Sequence, residues 1–254
     1  MHKLTRSHSS SWGQDSTDGN GFRLRLANLL ETGGNNVTYV GDVNHGTMSN
    51  NACEAYPGRN IDEVARIAND SSAWKATPNV VLVHLGTNDC RMAPYRARLN
   101  GSTAHKAAID FTELLTEIGK RDPSTLVIAS TLIRNLVPSV NTCLDAFNEL
   151  LPPVVAQAKD GGQKVVLVDM HDAVPTSDIN ATDYTHPTDA GYEIMAGVWY
   201  QGILNASSLI SAQVKSGAKG SSGAVKGSGF RLAGAGAWMI MLPIALVGGF
   251  IALL

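Results

Sequence analysis

Cysteine is scarce in this chain, with three in 254 residues. That excludes a disulfide-dense scaffold and most structural zinc arrangements. Charge is scarce as well: 17% of residues are charged, against roughly a quarter in average proteins. A formal net charge of -2 argues against a nucleic-acid binder. The opening MHKLTRSHSSSWG has no apolar h-region and so no secretory signal. G-x-S-x-G is absent, which withdraws support from the nucleophile elbow of α/β-hydrolases. His2, His8, His45, His84, His105 and His171 show no H-E-x-x-H or Cys/His metal spacing, so neither metal nor cofactor is expected. No internal repeat or second domain is visible.

What is present is apolar content of 44%, near the globular average and enough for one large α/β domain. Short continuous apolar runs at Val37–Val40, Val80–Leu85, Thr125–Leu132 and Lys164–Val168 read as parallel strands covered on both faces. Between them, apolar residues recur at helical spacing over 22–31, 61–74, 105–119, 140–158 and 187–204. Alternation of the two predicts a three-layer α/β/α fold with a parallel, flavodoxin-like sheet. In such sheets functional groups gather beyond the carboxyl ends of the strands.

The ends of the chain differ from its body. All 22 acidic side chains precede Leu209, after which come only Lys215, Lys219, Lys226 and Arg231. Residues 1–206 are expected to form the domain and 207–231 a Ser/Gly/Lys-rich linker. Residues 232–254 are an uncharged apolar run long enough to cross a bilayer. Small residues around Ser221, a spacer and that run match a GPI-attachment signal, with Ser221 the attachment candidate. A tail anchor retained as a membrane helix is the alternative. Five N-x-S/T sequons add a weak indication of the secretory route. Cys90 follows one strand and Cys143 lies beyond the next, on one rim of the sheet. They are expected to pair, leaving Cys53 free, although sequence leaves connectivity open.

Three stretches carry chemistry. Asp183 and His186 stand three residues apart before a helix, where a carboxylate can hold an imidazole as general base. The same stretch also makes a good helix start. Asn88, in Gly86-Thr87-Asn88-Asp89, could donate its carboxamide to an oxyanion, or simply form a turn. Gly58, in Tyr56-Pro57-Gly58, could add a backbone N–H. These groups call for a nucleophile, and a serine cluster stands at Ser7-His8-Ser9-Ser10-Ser11.

From Ser9 to about Leu204 the sequence resembles the SGNH, or GDSL-type, hydrolases, most closely their acetylxylan-esterase-like branch. Gly86-Thr87-Asn88-Asp89 matches the block G-x-N-D, and Asp183 with His186 matches D-x-x-H. Ser7 to Gly13 is similar to Gly-Asp-Ser-x-Thr-x-Gly, with Ser9 at the nucleophile, Ser11 at the Thr and Gly13 at the last Gly. Gly58 falls where the second block has its backbone donor. The departure is in the first block, where Ser7-His8 replaces Gly-Asp, and an apolar strand before it is missing. In the sheet order 2-1-3-4-5 that first strand is central. Its loss would leave two neighbours unpaired and a slot through the core. A chain truncated at its N-terminus would explain both this and the missing secretory signal.

The resemblance implies a serine esterase acting on short-chain, O-acetyl esters of polysaccharide, with Ser9, His186 and Asp183 as the triad. Ser9, Gly58 and Asn88 would form the oxyanion hole. The expected partners are an acylated carbohydrate or small ester and, through the tail, a membrane. The expected location is the extracellular face of the plasma membrane or the cell wall. A general lipolytic esterase is one alternative. A catalytically inactive, surface-anchored glycan-binding or wall protein is the other.

Overall fold

The structure is a computed structural model. It describes residues 10–91 and 103–211, together with the backbone of 249–253. Helix α1 (Arg23–Thr32) leads to strand β1 (Val37–Val40) and a two-residue antiparallel ribbon, β2 (Val43–Asn44) with β3 (Ala52–Cys53). Helix α2 (Ile61–Asn69) and a 3₁₀ turn (Ser72–Ala76) precede β4 (Val80–Val83) and the short α3 (Thr87–Arg91). Then come α4 (Thr103–Arg121), β5 (Leu126–Ser130), α5 (Pro138–Asp160), β6 (Val165–Val168) and α6 (Asp189–Asn205). A last strand, β7, is Gly249–Leu253.

Side-chain alternation along the strands builds the layers. Val80 and Leu82 of β4, with Leu126 and Ile128 of β5, point toward Leu26 and Leu30 of α1 and Met195 and Trp199 of α6. Val81 and Val83, with Val127 and Ala129, point the other way, toward Val64 of α2, Phe111 of α4 and Phe147 of α5. Both faces of β4 and β5 are buried, so their uninterrupted apolar runs are what the packing requires.

The sheet order is β1-β7-β4-β5-β6, all parallel. The gap expected in the middle is therefore filled, and the expectation of two unpaired neighbours is corrected. Gly249 to Ala252 pair with Val37 to Val40, and Ile251 to Leu253 pair with Val80 to Leu82. A five-residue backbone from the far end of the chain thus satisfies the inner hydrogen-bonding edges of β1 and β4. Buried unpaired peptide groups there would be expensive.

Other differences are local. The helix expected over 61–74 stops at Asn69 because the Ser71 side chain accepts from the Ala73 N–H and starts a 3₁₀ turn. Strand β4 ends at Val83 rather than Leu85, just ahead of Gly86 at φ +132°. The β2–β3 ribbon was not foreseen, since two-residue strands carry no periodic signal. Residues 207–211, expected in the linker, form a 3₁₀ turn at Ser207–Leu209 and continue the domain, whereas Ser9, Ser221 with the rest of 212–231, and 232–248 lie outside the described residues. Among the described residues no helix is long and apolar enough to cross a membrane.

Candidate active site

The carboxyl end of β4 supplies the first group. Gly86 lies at φ +132°, and a Cβ there would come within 2.8 Å of the Phe147 ring. Only glycine lets the chain turn this tightly against the core. The turn delivers Asn88 at the start of α3, 5% exposed. Three restraints hold it. Its Nδ2 donates to the Arg59 carbonyl at 2.8 Å. The next residue, Asp89, accepts from the Ile61 N–H at 3.1 Å and so caps α2. Cys90 is joined to Cys143 of α5 by a disulfide, while Cys53 is free and buried. A carboxamide nitrogen has two hydrogens, and the Arg59 carbonyl engages one of them.

The loop before α6 supplies the second group. Asp183 Oδ1 accepts from the Thr185 N–H at 2.9 Å and the His186 N–H at 3.0 Å. Its Oδ2 accepts from His186 Nδ1. The helix cap is a different residue, Thr188, which accepts from the Gly191 N–H at 3.2 Å. Capping and imidazole binding are therefore divided between two side chains. Burial pushes the Asp183 carboxyl upward, but the three donors outweigh it and bring its pKa down to about 2. A carboxylate that stays ionised fixes the imidazole tautomer, leaving Nε2 as the basic nitrogen. The loop is braced from behind: Thr185 Oγ1 accepts from Asn135 Nδ2 at 2.9 Å and from Arg91 Nη1 at 3.1 Å.

The N-terminal loop closes the site. Arg23 is fully buried and donates to four carbonyls: Asn51 and His45 at 2.7 Å, Gly19 at 3.1 Å and Trp12 at 3.3 Å. This one side chain staples the 12–19 loop to the 45–51 loop. Gly13 lies at φ +81°, and a Cβ there would come within 2.3 Å of the Gly19 carbonyl oxygen. Tyr192 of α6 donates to the Gln14 carbonyl at 2.6 Å, and the Thr17 N–H donates to Asp189 at 3.0 Å. The segment from Gln14 to Thr17 is thereby pinned against the helix that follows His186.

Ser10, Arg59, Asn88, Ile133, Thr185 and His186 line one small cleft, open to solvent. Of the residues expected from sequence, Asp183 and His186 are in direct contact, and Asn88 shares the cleft with His186. Ser9 lies outside the described residues; its neighbour Ser10, 7% exposed, lines the cleft. Gly58 forms a turn at φ +83° in which the Arg59 N–H donates to the Tyr56 carbonyl at 3.2 Å. The residue that reaches the cleft from this turn is Arg59, which sequence reading missed. Also missed was Asp15, whose Oδ2 stands 4.0 Å from His186 Nδ1. Asp15, Asp183 and His186 bring three donor atoms within 4.8 Å of one another. A cation there would compete for the Nδ1 that Asp183 already engages. Asn135 and Arg91, which brace Thr185, carried no motif signal.

His84 at the end of β4 also lines the cleft, with Nδ1 2.7 Å from Ser130 Oγ. Burial pushes its pKa down to about 4, so the ring is neutral at neutral pH. His171 lies apart from the cleft residues, 3.0 Å from Asp145 and 3.3 Å from Asp172.

Against this geometry stand the comparisons with known proteins. The sequence profile of the GDSL-like lipase/acylhydrolase family matches residues 9–194. A family 3 carbohydrate esterase from Clostridium thermocellum superposes with a TM-score of 0.66 at 22% identity, covering 80% of this chain and 95% of the other. A family 3 carbohydrate esterase from Talaromyces cellulolyticus gives 0.64 at 20% identity, covering 78% and 95%. An acetyl-xylooligosaccharide esterase from Geobacillus gives 0.52 at 15% identity, covering 72% and 80%. At these identities the likeness is one of fold. No curated protein sequence matches the chain.

Proposed function

The chain belongs to the GDSL-like lipase/acylhydrolase family of ester hydrolases, and on that premise we propose that it removes short acyl groups, O-acetyl above all, from polysaccharide. The observation that carries the reading is the pairing of the His186 imidazole with the Asp183 carboxylate, at the cleft that Asn88 and Ser10 also line.

In the proposed reaction the Ser9 hydroxyl attacks the ester carbonyl while His186 Nε2 takes its proton. The Asp183 carboxylate stabilises the imidazolium that forms. The Asn88 carboxamide, with the N–H groups of Ser9 and Gly58, receives the developing oxyanion. His186 then protonates the departing alcohol oxygen. Water, activated by the same imidazole, releases the acid and restores the serine.

Support for a carbohydrate substrate comes from the fold neighbours, two named family 3 carbohydrate esterases and one an acetyl-xylooligosaccharide esterase. The inactive, glycan-binding alternative draws on Ser7-His8 standing where Gly-Asp is usual. Turnover of p-nitrophenyl acetate by the full chain separates the two. Ser9→Ala is expected to abolish it and Ser10→Ala to spare it. The reverse result moves the nucleophile by one residue, and a folded but inert parent chain leaves the binding reading.

For location, we propose attachment at the outer face of a membrane through the apolar run 232–254, with Ser221 the candidate for GPI transfer. Gly249–Leu253 cannot serve the sheet and a membrane signal in one molecule. Release from membranes by phosphatidylinositol-specific phospholipase C tests the anchored form. A product that stays membrane-bound or is never membrane-bound counts against it.

A further inference from the structure

The hydroxyl of Thr185 is a junction at the cleft. A threonine hydroxyl can accept two hydrogen bonds and donate one, and here all three are made. Oγ1 accepts from Asn135 Nδ2 at 2.9 Å and from Arg91 Nη1 at 3.1 Å, and it donates to the Asp183 carbonyl at 3.1 Å. Thr185 is buried, lines the cleft and directly precedes His186. A buried hydroxyl with every bond made has little freedom, so its two donors locate the loop that carries Asp183 and His186.

Those donors come from different parts of the fold. Asn135 follows β5 and ties the loop to the scaffold. Arg91 is the last residue of α3, whose second residue is Asn88. The Arg91–Thr185 contact spans 94 residues of sequence. It runs from the element of the oxyanion donor to the loop of the base. Helix α3 is itself fixed, at Asn88 by the Arg59 carbonyl and at Cys90 by the disulfide to α5. A bond from its last residue therefore carries a fixed position across to Thr185.

A neutral amide is enough to donate to a hydroxyl, as Asn135 does. The guanidinium adds charge. Burial lowers the Arg91 pKa and the Asp183 carboxylate opposes that shift, so cation and carboxylate lie in one another's field. Their attraction also draws α3 and the loop together.

We propose that Arg91 is a positioning residue: through Thr185 it sets the spacing between the oxyanion donor Asn88 and the general base His186. In ester cleavage both groups act on one tetrahedral centre, so an error in their spacing raises the barrier more than it weakens binding. The proposal deepens the hydrolase reading and rests on it.

The test is kinetic, on the full chain with p-nitrophenyl acetate. Arg91→Met removes the donor and the charge at an exposed helix end, so the protein should fold with little change in Tm. It is expected to lower kcat by about tenfold to 10²-fold, with KM within about twofold of the parent. Arg91 gives Thr185 a single N–H, which a lysine ammonium can also supply, so Arg91→Lys is expected to recover part of the loss. Thr185→Val removes the shared hydroxyl, and on that background Arg91→Met is expected to cost less than about twofold more. An active parent whose kcat survives Arg91→Met overturns the role of Arg91 and leaves the esterase standing. So do losses from Arg91→Met and Thr185→Val that simply add, or a loss borne by KM. A parent chain inert toward the ester brings down the hydrolase reading and this proposal with it.

Discussion

Replacing Asp183 by Asn tests the catalytic reading at its centre. An asparagine still offers Oδ1 to the N–H groups of Thr185 and His186, which Asp183 accepts at 2.9 and 3.0 Å. The loop should therefore keep its shape. What is lost is the charge facing the imidazolium and the hydrogen bond that selects its tautomer. In the Ser-His-Asp template this change costs about 10⁴ in kcat, equivalent to about 5 kcal/mol. Here a second carboxylate softens the loss. Asp15 Oδ2 lies 4.0 Å from the same nitrogen. Two unit charges at that distance interact by about 4 kcal/mol at an effective dielectric near 20, before solvent screening. The Asp15 side chain is partly exposed, so only part of that survives, on the order of 1–2 kcal/mol. Asp183→Asn should then lower kcat by about 10³, Asp15→Asn by less than tenfold, and the double variant by about 10⁴. The excess of the double variant's loss over the sum of the two single losses reports the coupling of the two carboxylates. Stopped-flow turnover of p-nitrophenyl acetate, with thermal unfolding as the control for folding, reads all three. An Asp183→Asn protein of unchanged Tm that retains a fifth of parental kcat refutes the catalytic assignment.

The other predictions follow from single observations. Asn88→Ala should lower kcat by about 10²–10³ with little change in KM, and a proportional rise in KM instead would assign Asn88 to substrate binding. Removing the disulfide by Cys90→Ser with Cys143→Ser opens a loop closed over a separation of 53 residues. Chain entropy puts the loss at up to about 4 kcal/mol, which denaturant unfolding would detect, and an unchanged midpoint would show that packing alone holds α3. His84 has its pKa lowered to about 4 by burial, so between its unfolded value and about 4 the unfolded chain binds the proton first. Stability is then full above about pH 6.5 and falls by up to about 3 kcal/mol as the pH drops toward 4. His84→Gln should flatten that limb, and an unflattened limb would assign it elsewhere. Deleting 249–254 removes the strand shared by β1 and β4 and should cost several kcal/mol. A truncated protein with the parental Tm would mean that β7 contributes nothing to the sheet.

Much of the scaffold was legible because it obeys short-range rules. Buried parallel strands need unbroken apolar runs, and β1, β4, β5 and β6 all fall within the runs expected. The helices repeat apolar residues at the spacing that one buried face demands. Gly86-Thr87-Asn88-Asp89 and the Asp183/His186 pair were legible for a similar reason: each couples a backbone turn to a polar group within four residues. Arg59, Asp15 and Asn135 were not. Each reaches the site across a long sequence separation, through a contact such as Asn135 to Thr185, 50 residues apart. No local pattern encodes such an approach.

Periodicity and local motif chemistry were thus sufficient for the layered α/β architecture and the order of its elements, and they singled out Asn88, Asp183 and His186, which the fold brings close together. Folding alone decided what fills the middle of the sheet. A run with the composition of a membrane segment and a run that completes a buried strand look alike, because both are selected for apolar side chains. Only the hydrogen-bonding edges of β1 and β4, brought face to face by the rest of the fold, distinguish a place for Gly249–Leu253. The same holds for Tyr184: its letter says aromatic, but its left-handed backbone exists only once Asn180 and Leu136 have bonded it on either side.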